Sequence, residues 1–238
     1  MGHNGHSGRH QSQSHPLGAM PATVDMSGPD YLDFRGRVLA AAIRDRHRKG
    51  RRFFNDIGAS ELSPIEKGKV MRAEAAGKCI ELLKAARGDL ARDQMGPPAD
   101  SADSAREHLA RSVRSIGIAS AYRSHAEEQL IWANDCFPKY YRATYGRRMA
   151  APGGAHGEEA VRIMVEYFSP RKAPPGFSNH SNGNAVDFTT IQGGITYTAN
   201  TSQRVGWRKT WLHGWLLEHA NQYGFRPLAS EEWHWDFR

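Results

Sequence analysis

Two short runs in the last third of the chain carry the residue types that hydrolytic chemistry needs. One spans residues 178–187 (SNHSNGNAVD) and the other spans residues 231–234 (EEWH). A catalytic zinc ion takes three protein ligands from His, Asp or Glu and keeps one position open for water. His180, Asp187 and His234 supply such a set. The two runs therefore predict a metal centre, if the fold brings His234 to a strand beside Asp187.

Hydrolysis at such a centre also needs a base, because the attacking water must lose a proton and the leaving amine must gain one. Glu231 lies three residues before His234. On a regular strand an odd offset directs two side chains to opposite faces. We therefore expect the backbone to turn between Glu231 and Trp233, and the strand proper to begin near Trp233.

Taken singly, each of these residues is more often structural than catalytic, and only the joint pattern favours a metal site. The pattern Ser-x-His-x-x-Gly-x-Ala-x-Asp is filled by residues 178–187, and Glu-x-Trp-His by residues 231–234. Upstream, Ser-Ala-Tyr-Arg-Ser occupies residues 120–124, and Tyr-Gly-Phe occupies residues 223–225. Together these blocks resemble the VanY/VanX-type zinc D-alanyl-D-alanine peptidases, which are peptidoglycan hydrolases. The resemblance runs from about residue 113 to residue 238.

The resemblance implies one zinc ion per chain, bound by His180, Asp187 and His234. It also implies that Glu231 is the catalytic base and that Arg123 stabilises the oxyanion that develops on the substrate carbonyl.

Two further residues are expected to bind substrate, namely Ser178 and Gln129. Ala121 departs from the pattern, because glycine is frequent there in the family. The sequence does not decide between release of a terminal D-Ala, as by a D,D-carboxypeptidase, and cleavage of the stem or cross-link, as by an endopeptidase. The alternative is a non-catalytic zinc-binding interaction module of the hedgehog type, which shares the fold. The presence of both Glu231 and Arg123 argues against it, since binding alone needs neither.

The elements that must position these residues divide the chain into three parts. Residues 1–20 read as a disordered His-rich tail or leader, and residues 21–100 read as a helical accessory segment. In that segment Leu32, Leu39 and Ile43 predict one helix face, and Ser63-Pro64-Ile65-Glu66 predicts the capped start of a second helix. That second helix would bury positions 70, 73, 77, 80 and 83, and residues 95–100 would form a linker.

Residues 101–238 form the predicted zinc peptidase domain, with an α+β fold. Strands are expected at residues 118–123, 185–188, 195–197 and 233–237, with Gly193-Gly194 as a hairpin turn. Helices are expected to end at Gly117 and to cover residues 127–137, 158–168 and 207–223. No clean βαβ repeat is present, which favours a small antiparallel sheet flanked by helices.

Composition narrows the function classes. No apolar run is long enough to span a bilayer, and two cysteines, Cys79 and Cys136, are too few for a disulfide scaffold or a Cys-rich zinc site. The net charge of +7 favours an anionic partner, and nucleic acid, an anionic lipid surface and the bacterial cell wall all fit that sign. A nucleic-acid partner is not favoured, because the basic cluster at residues 44–52 lacks interleaved aromatic residues.

The expected substrate is bacterial peptidoglycan, reached in the cell wall, in the periplasm or outside the cell. No apolar signal segment is visible. The protein would then be an endolysin released by lysis, an effector delivered by a secretion or injection apparatus, or a mature form whose signal has been removed. Residues 21–100 would bind a delivery apparatus, the wall or an immunity protein.

Overall fold

The computed structural model describes residues 25–96 and 104–238. The predicted leader at residues 1–20 and the predicted linker residues 97–100 lie outside the described residues. The helices are α1 (Pro29–Arg48), α2 (Ala73–Gln94), α3 (Ser104–Arg111), α4 (His125–Ile131), α5 (Phe137–Ala143), α6 (Tyr145–Met149), α7 (Glu158–Phe168), α8 (Arg204–Trp207) and α9 (Trp211–His219). The strands are β1 (Leu62–Pro64), β2 (Val70–Arg72), β3 (Val113–Ser120), β4 (Ala185–Gln192), β5 (Ile195–Tyr197), β6 (Phe225–Leu228) and β7 (Glu231–Phe237). Among these helices, none is both long and apolar enough to cross a bilayer.

The chain divides into two compact units. The first contains the described residues up to Ile43 together with Ala133–Lys172, and the second contains Arg44–Trp132 together with Ala173–Arg238. This division differs from the expected boundary near residue 100. The difference arises because α2 and the large sheet contribute side chains to the same hydrophobic core, so residues 44–96 fold with the sheet.

The first unit is built from the beginning of α1 and from α5, α6 and α7. The buried residues of α1 recur at spacings of three and four: Tyr31, Phe34, Val38 and Ala42. The predicted face of Leu32, Leu39 and Ile43 is therefore wrong by one position, and Leu32 is 43% exposed. Helix α7 has the predicted bounds, because its apolar residues repeat regularly between Gly157 and Ser169.

The second unit contains an antiparallel sheet of order β3-β4-β7-β6, with β5 paired to β4. The predicted α+β class is confirmed. Strands β4 and β5 are joined through Gly193 and Gly194, which have φ values of 58° and 78°. Both lie in the left-handed region that glycine adopts without steric cost, so the predicted hairpin turn is present.

The alternation of side chains separates the core from the site. Val186 and Phe188 of β4 are fully buried in the hydrophobic core, and so are Trp233 and Trp235 of β7. Because neighbours on a strand point to opposite faces, the residues between them, at positions 187 and 234, point to the other face of the sheet. One face of the two strands thus packs the core, and the other carries the metal-ligand candidates.

The predicted helix start at residues 63–66 is wrong. Leu62–Pro64 form strand β1, which pairs with β2, and the turn between them places Lys67 and Gly68 at φ values of 52° and 72°. Two successive left-handed residues cannot belong to a helix, so the helix begins only at Ala73. The Glu66 carboxylate instead accepts a hydrogen bond from the backbone N–H of Ile118, at 3.0 Å.

Three other predicted elements are displaced. The apolar residues near 113 and 116 belong to strand β3 and not to the preceding helix, which ends at Arg111. The helix predicted over residues 207–223 is divided into α8, α9 and a 3-10 turn (Ala220–Tyr223) that ends at Gly224, with φ 82°. In α2 the predicted inward residue Ile80 is 48% exposed, while Cys79 and Leu82 are fully buried.

Candidate metal centre

The structure brings the three predicted metal ligands together. Asp187 on β4 lies directly opposite His234 on β7 in the antiparallel register, and facing residues on adjacent strands share a side of the sheet. His180 reaches the same place from the loop before β4. All three residues are buried, with exposures of 2% for His180, 4% for Asp187 and 6% for His234.

One donor atom from each residue converges on a common point. Nε2 of His180 lies 3.1 Å from Nδ1 of His234 and 3.3 Å from Oδ1 of Asp187, and the last two atoms are 3.0 Å apart. Three ligand atoms bound tetrahedrally to zinc lie roughly 3.3–3.5 Å from one another. The donor types and their spacing therefore fit a single zinc ion with little rearrangement.

Hydrogen bonds on the far side of each imidazole hold the two rings in place. Nδ1–H of His180 donates to the carbonyl oxygen of Ala121 at 2.6 Å, which leaves Nε2 as the free donor atom. Nε2–H of His234 donates to Oδ1 of Asp236 at 3.0 Å, which leaves Nδ1 directed at the centre. A carboxylate or carbonyl partner of this kind fixes the tautomer and raises the basicity of a metal-binding histidine.

Sequence reasoning missed Asp236. It lies two residues after His234 on the same strand, so both side chains share a face, and the spacing His-x-Asp was a usable signal. Its carboxylate is buried and also accepts from Nδ2 of Asn179 at 2.9 Å.

The charges of Asp187 and His180 match their donor chemistry, whereas the protonated ring of His234 has to release its Nδ1 proton when a metal binds. Burial by itself would raise the pKa of Asp187, but His180 and His234 beside it hold that pKa well below its usual value. Burial lowers the pKa of His180, which favours the neutral ring. Burial also opposes the charged form of His234, yet hydrogen bonds to Asp187 and Asp236 raise its pKa to about 9. The site thus presents an ionised carboxylate and one neutral imidazole.

Arg123 lies at the edge of this cluster. Its Nη1 is 3.7 Å from Oδ2 of Asp187 and donates to Oγ of Ser120 at 2.9 Å, and its Nε donates to Oε1 of Glu128 at 3.0 Å. The side chain is only 12% exposed. Ser120 faces Asp187 in the pairing of β3 with β4. Ser120 and Glu128 thus hold the Arg123 guanidinium beside the donor atoms. Neither residue was predicted to have this role from the sequence.

Glu128 reaches Arg123 because of how α4 begins. Ser124 caps the helix, accepting from the backbone N–H of Glu127 while its own backbone N–H donates to the Glu127 carboxylate. This capping box fixes the first turn. Glu128 then points inward and is buried, while the neighbouring Gln129 points outward and is exposed. Among the described residues, no side-chain hydrogen bond joins Gln129 to the cluster.

Ser178 lies in the loop that carries His180, and its Oγ accepts from the backbone N–H of His180 at 3.2 Å. The side chain is half-buried. This contact shapes the loop locally and keeps the hydroxyl within two residues of a ligand candidate.

Glu231 begins strand β7, so the strand starts two residues earlier than predicted. An irregularity in the pairing with β6 does lie here, since Leu228 faces Glu231 while Pro227 faces Trp235. The half-buried Glu231 carboxylate accepts from Nε1 of Trp233 at 3.2 Å. Within the described chain, no hydrogen bond or ion pair connects Glu231 to the three donor residues.

The residue next to Glu231 is a second carboxylate with a different environment. Glu232 is buried and forms ion pairs with Arg204 at 2.8 Å and Arg208 at 2.6 Å. Hydrogen bonds from Arg204 lower the pKa of Glu232 to about 2. Glu232 therefore attaches helix α8 to the start of β7, immediately beside Glu231.

Cys79 carries no comparable chemistry. It is fully buried in the hydrophobic core, and burial raises the pKa of its thiol to about 12. A thiol kept protonated in this way is a poor nucleophile.

Comparison with known proteins places this chain in a family. A family model described as VanY, D-alanyl-D-alanine carboxypeptidase, matches residues 99–238. No curated protein matches the sequence. Similar solved structures include a mutant of the vancomycin-resistance D,D-pentapeptidase VanY in complex with Zn(II), at 21% identity over 78% of this chain and 86% of that chain, with a TM-score of 0.41. VanYB in complex with D-Alanine-D-Alanine is 21% identical over 78% of this chain and 84% of that chain, with a TM-score of 0.44. The LD-carboxypeptidase LdcB is 18% identical over 78% of this chain and 74% of that chain, with a TM-score of 0.46.

Two imidazoles and one carboxylate are among the ligand sets that hold catalytic zinc in proteins. The family match spans more than half of the chain. The chain belongs to the VanY D-alanyl-D-alanine carboxypeptidase family. It is a carboxypeptidase-type peptidase of the group that acts on the peptidoglycan of the cell wall.

Proposed function

We propose that the protein is a zinc-dependent peptidoglycan peptidase with one zinc ion per chain. His180, Asp187 and His234 would hold the ion. The observation that carries the proposal is the convergence of Nε2 of His180, Oδ1 of Asp187 and Nδ1 of His234 within 3.3 Å of one another. When bound, zinc would polarise the substrate carbonyl and make an attacking water more acidic.

Arg123 would stabilise the negative charge that develops on the carbonyl oxygen during attack. Its guanidinium is suited to this because Ser120 and Glu128 already hold it in place. No reorganisation of a flexible side chain is then needed as the reaction proceeds. A non-catalytic zinc-binding module would have no use for a largely buried cation held in this position.

Glu231 would accept the proton from the attacking water and return it to the leaving amine. Its neighbour Glu232 is held by two arginines, which limits movement of the backbone at the start of β7. Ser178 would bind the substrate close to the donor atoms. Gln129, exposed on α4, would meet the substrate only at the outer rim of the site.

The substrate we propose is the stem peptide of bacterial peptidoglycan. The reaction is hydrolysis of a peptide bond at a D-alanine residue, as the family description implies. Release of a terminal D-Ala is the first expectation, and cleavage within the stem or cross-link would give products of different mass.

The test compares the purified wild-type protein with Glu231→Ala and, as a matched control, with Glu74→Ala, which removes an exposed carboxylate from α2. We expect about one zinc ion per chain in all three proteins. Isolated peptidoglycan and stem pentapeptide should be digested by the wild type and the control but not by Glu231→Ala. Mass spectrometry of the products identifies the bond.

Zinc bound without any product would favour the binding module. Absence of zinc from the wild type, even after incubation with the metal, would refute the assignment of the three ligands. Full activity of Glu231→Ala would refute the role of Glu231 as the base.

A further inference from the structure

A segment outside the family match lies against the candidate metal centre. Residues 51–57 (RRFFNDI), called the strap below, connect α1 to a 3-10 turn (Ala59–Glu61) and contain neither helix nor strand. The family model begins at residue 99. The strap thus lies outside the residues that the family model matches, although it belongs to the same compact unit as the sheet.

Hydrogen bonds attach the strap to the segment that carries Arg123. Oδ1 of Asp56 accepts from the backbone N–H of His125 at 2.7 Å and from the Tyr122 hydroxyl at 3.3 Å. The Tyr122 hydroxyl in turn accepts from the backbone N–H of Ile57 at 3.1 Å. Tyr122 and His125 flank Arg123 in the sequence, so these bonds hold the strap beside the site.

The other side of the strap follows the loop that carries Ser178 and His180. The backbone N–H of Phe54 donates to the carbonyl of Gly176 at 2.8 Å. A Cβ atom at Gly176 would lie 2.5 Å from the Phe53 ring, and one at Gly183 would lie 2.9 Å from Ile57. The strap therefore fits closely against both ends of this loop.

The strap also contributes to a cluster of aromatic rings next to Ser178. The ring of Phe53 lies 5.3 Å from that of Phe177 and 4.9 Å from that of His125, and His47 completes the cluster. Phe53 is 38% exposed although it is a large apolar residue. The part of the cluster that solvent reaches can contact a ligand without rearrangement of the core.

Two cations directly precede Phe53 in the strap. Arg51 and Arg52 are exposed, and the Arg52 guanidinium lies 5.5 Å from the centre of the Phe54 ring. The strap's single carboxylate, Asp56, already accepts two hydrogen bonds from Tyr122 and His125. With two arginines and one aspartate, the strap keeps a net positive charge beside the apolar rings, and it is complementary to a peptide that carries carboxylates.

We propose that Arg51, Arg52 and Phe53, together with Phe177, form a substrate subsite that binds the carboxylate-bearing part of the stem peptide beyond the scissile D-alanine residues. This inference rests on the proposed function. Binding energy from a part of the substrate remote from the reacting bond can be used to raise kcat/KM. The strap then makes this chain selective for long stem peptides over short ones.

The experiment uses the full chain and two peptides with the same scissile bond. One is an acylated D-Ala-D-Ala dipeptide, and the other is the stem pentapeptide with its side carboxylates. The variants are Arg51→Ala/Arg52→Ala and Phe53→Ala, all exposed positions. The matched control is Arg114→Ala, which removes an exposed arginine at the end of β3 far from Ser120.

We expect the double arginine variant to lower kcat/KM for the pentapeptide about tenfold, the size expected when two exposed ion pairs are lost. The Phe53→Ala variant should lower it as well, and neither should change kcat/KM for the dipeptide by more than about twofold. Equal losses on both peptides, or no loss on the pentapeptide, would overturn the proposal.

A binding measurement separates this proposal from the proposed function. The pentapeptide is titrated into Glu231→Ala and into Glu231→Ala carrying the two arginine substitutions. The subsite is supported if the protein with the arginine substitutions binds the pentapeptide about tenfold more weakly than Glu231→Ala does, and if added salt weakens binding to Glu231→Ala. This holds even if the wild type cleaves neither peptide. Equal affinity of the two proteins would overturn the subsite and leave the proposed reaction unaffected.

Discussion

Replacement of Asp236 by alanine should weaken zinc binding without removing a ligand. The substitution removes the carboxylate that accepts a hydrogen bond from Nε2–H of His234, at 3.0 Å, and another from Nδ2 of Asn179, at 2.9 Å. Both donors lie beside a buried cluster, so the imidazole loses the partner that orients it and raises its basicity. Loss of such a partner typically lowers metal affinity about 10- to 100-fold, or about 1.4–2.7 kcal/mol.

Asp236→Asn should have a smaller effect than Asp236→Ala. The amide oxygen can still accept from His234, so the ring keeps its orientation, but the negative charge that raises its basicity is gone. We expect a loss of less than about tenfold. The order wild type, Asp236→Asn, Asp236→Ala therefore separates the contribution of orientation from that of charge.

Zinc affinity would be measured by competition with a chromophoric chelator at neutral pH, after circular dichroism has shown that each variant is folded. Asp30→Ala serves as the matched control, since it removes an aspartate from the exposed first turn of α1. Asp187→Ala gives the value expected for loss of a ligand. An affinity of Asp236→Ala within about twofold of the wild type would refute the reasoning, because the second hydrogen bond of His234 would then contribute nothing.

Three further predictions concern neighbouring residues. Glu232→Gln should destabilise the protein by about 2 kcal/mol at neutral pH, which is less than the pKa shift of Glu232 alone implies because its arginine partners are partly exposed. The pKa of Glu232 is lowered to about 2 in the folded protein, from 4.5 in the unfolded chain. The stabilisation is therefore present above pH 4.5 and is lost as the pH falls towards 2. Urea unfolding of both proteins across that range should show the difference shrinking, and a constant difference would contradict the ion-pair origin. Arg123→Lys should lower kcat by at least about tenfold with zinc content unchanged, measured by metal analysis and stem-peptide hydrolysis; unchanged kcat would exclude a role for the guanidinium. In a Cys136→Ser background, Cys79 should resist a thiol reagent at pH 8 and react once urea unfolds the chain, because burial holds its pKa near 12; rapid labelling of the native protein would contradict that burial.

Local sequence patterns predicted the secondary structure correctly wherever a single segment determined its own conformation. The apolar residues of α7 repeat at helical spacing between polar ends, and that helix has the predicted bounds. The Gly193-Gly194 turn supports two left-handed residues between strands of alternating pattern. The strand predicted at residues 185–188 is present as the first half of β4. Periodicity and turn chemistry are properties of a few adjacent residues, and they are therefore visible in the sequence.

Local patterns failed where two conformations compete for one segment. Residues 63–66 satisfy the composition of a helix cap, yet Lys67 and Gly68 adopt a left-handed turn and Glu66 bonds to the distant residue Ile118. The capping preference amounts to about 1 kcal/mol, which the pairing of β1 with β2 and the contact to β3 can outweigh. The predicted face of α1 was displaced for a similar reason, because Tyr31 packs its ring against Phe137, more than one hundred positions away.

The sequence by itself determined which residue types are available to the site: two imidazoles and a carboxylate as the predicted metal ligands, and an arginine and a glutamate for the predicted reaction. Only the tertiary structure decided how they meet. The register that sets Asp187 against His234, the bond from His234 to Asp236 and the contact of Arg123 with Glu128 each depend on packing or on backbone geometry. The strap is the clearest case, because its position beside Tyr122 and Gly176 comes from hydrogen bonds across long chain separations. A residue's type is a local property, whereas its partners are selected by the burial of the whole unit.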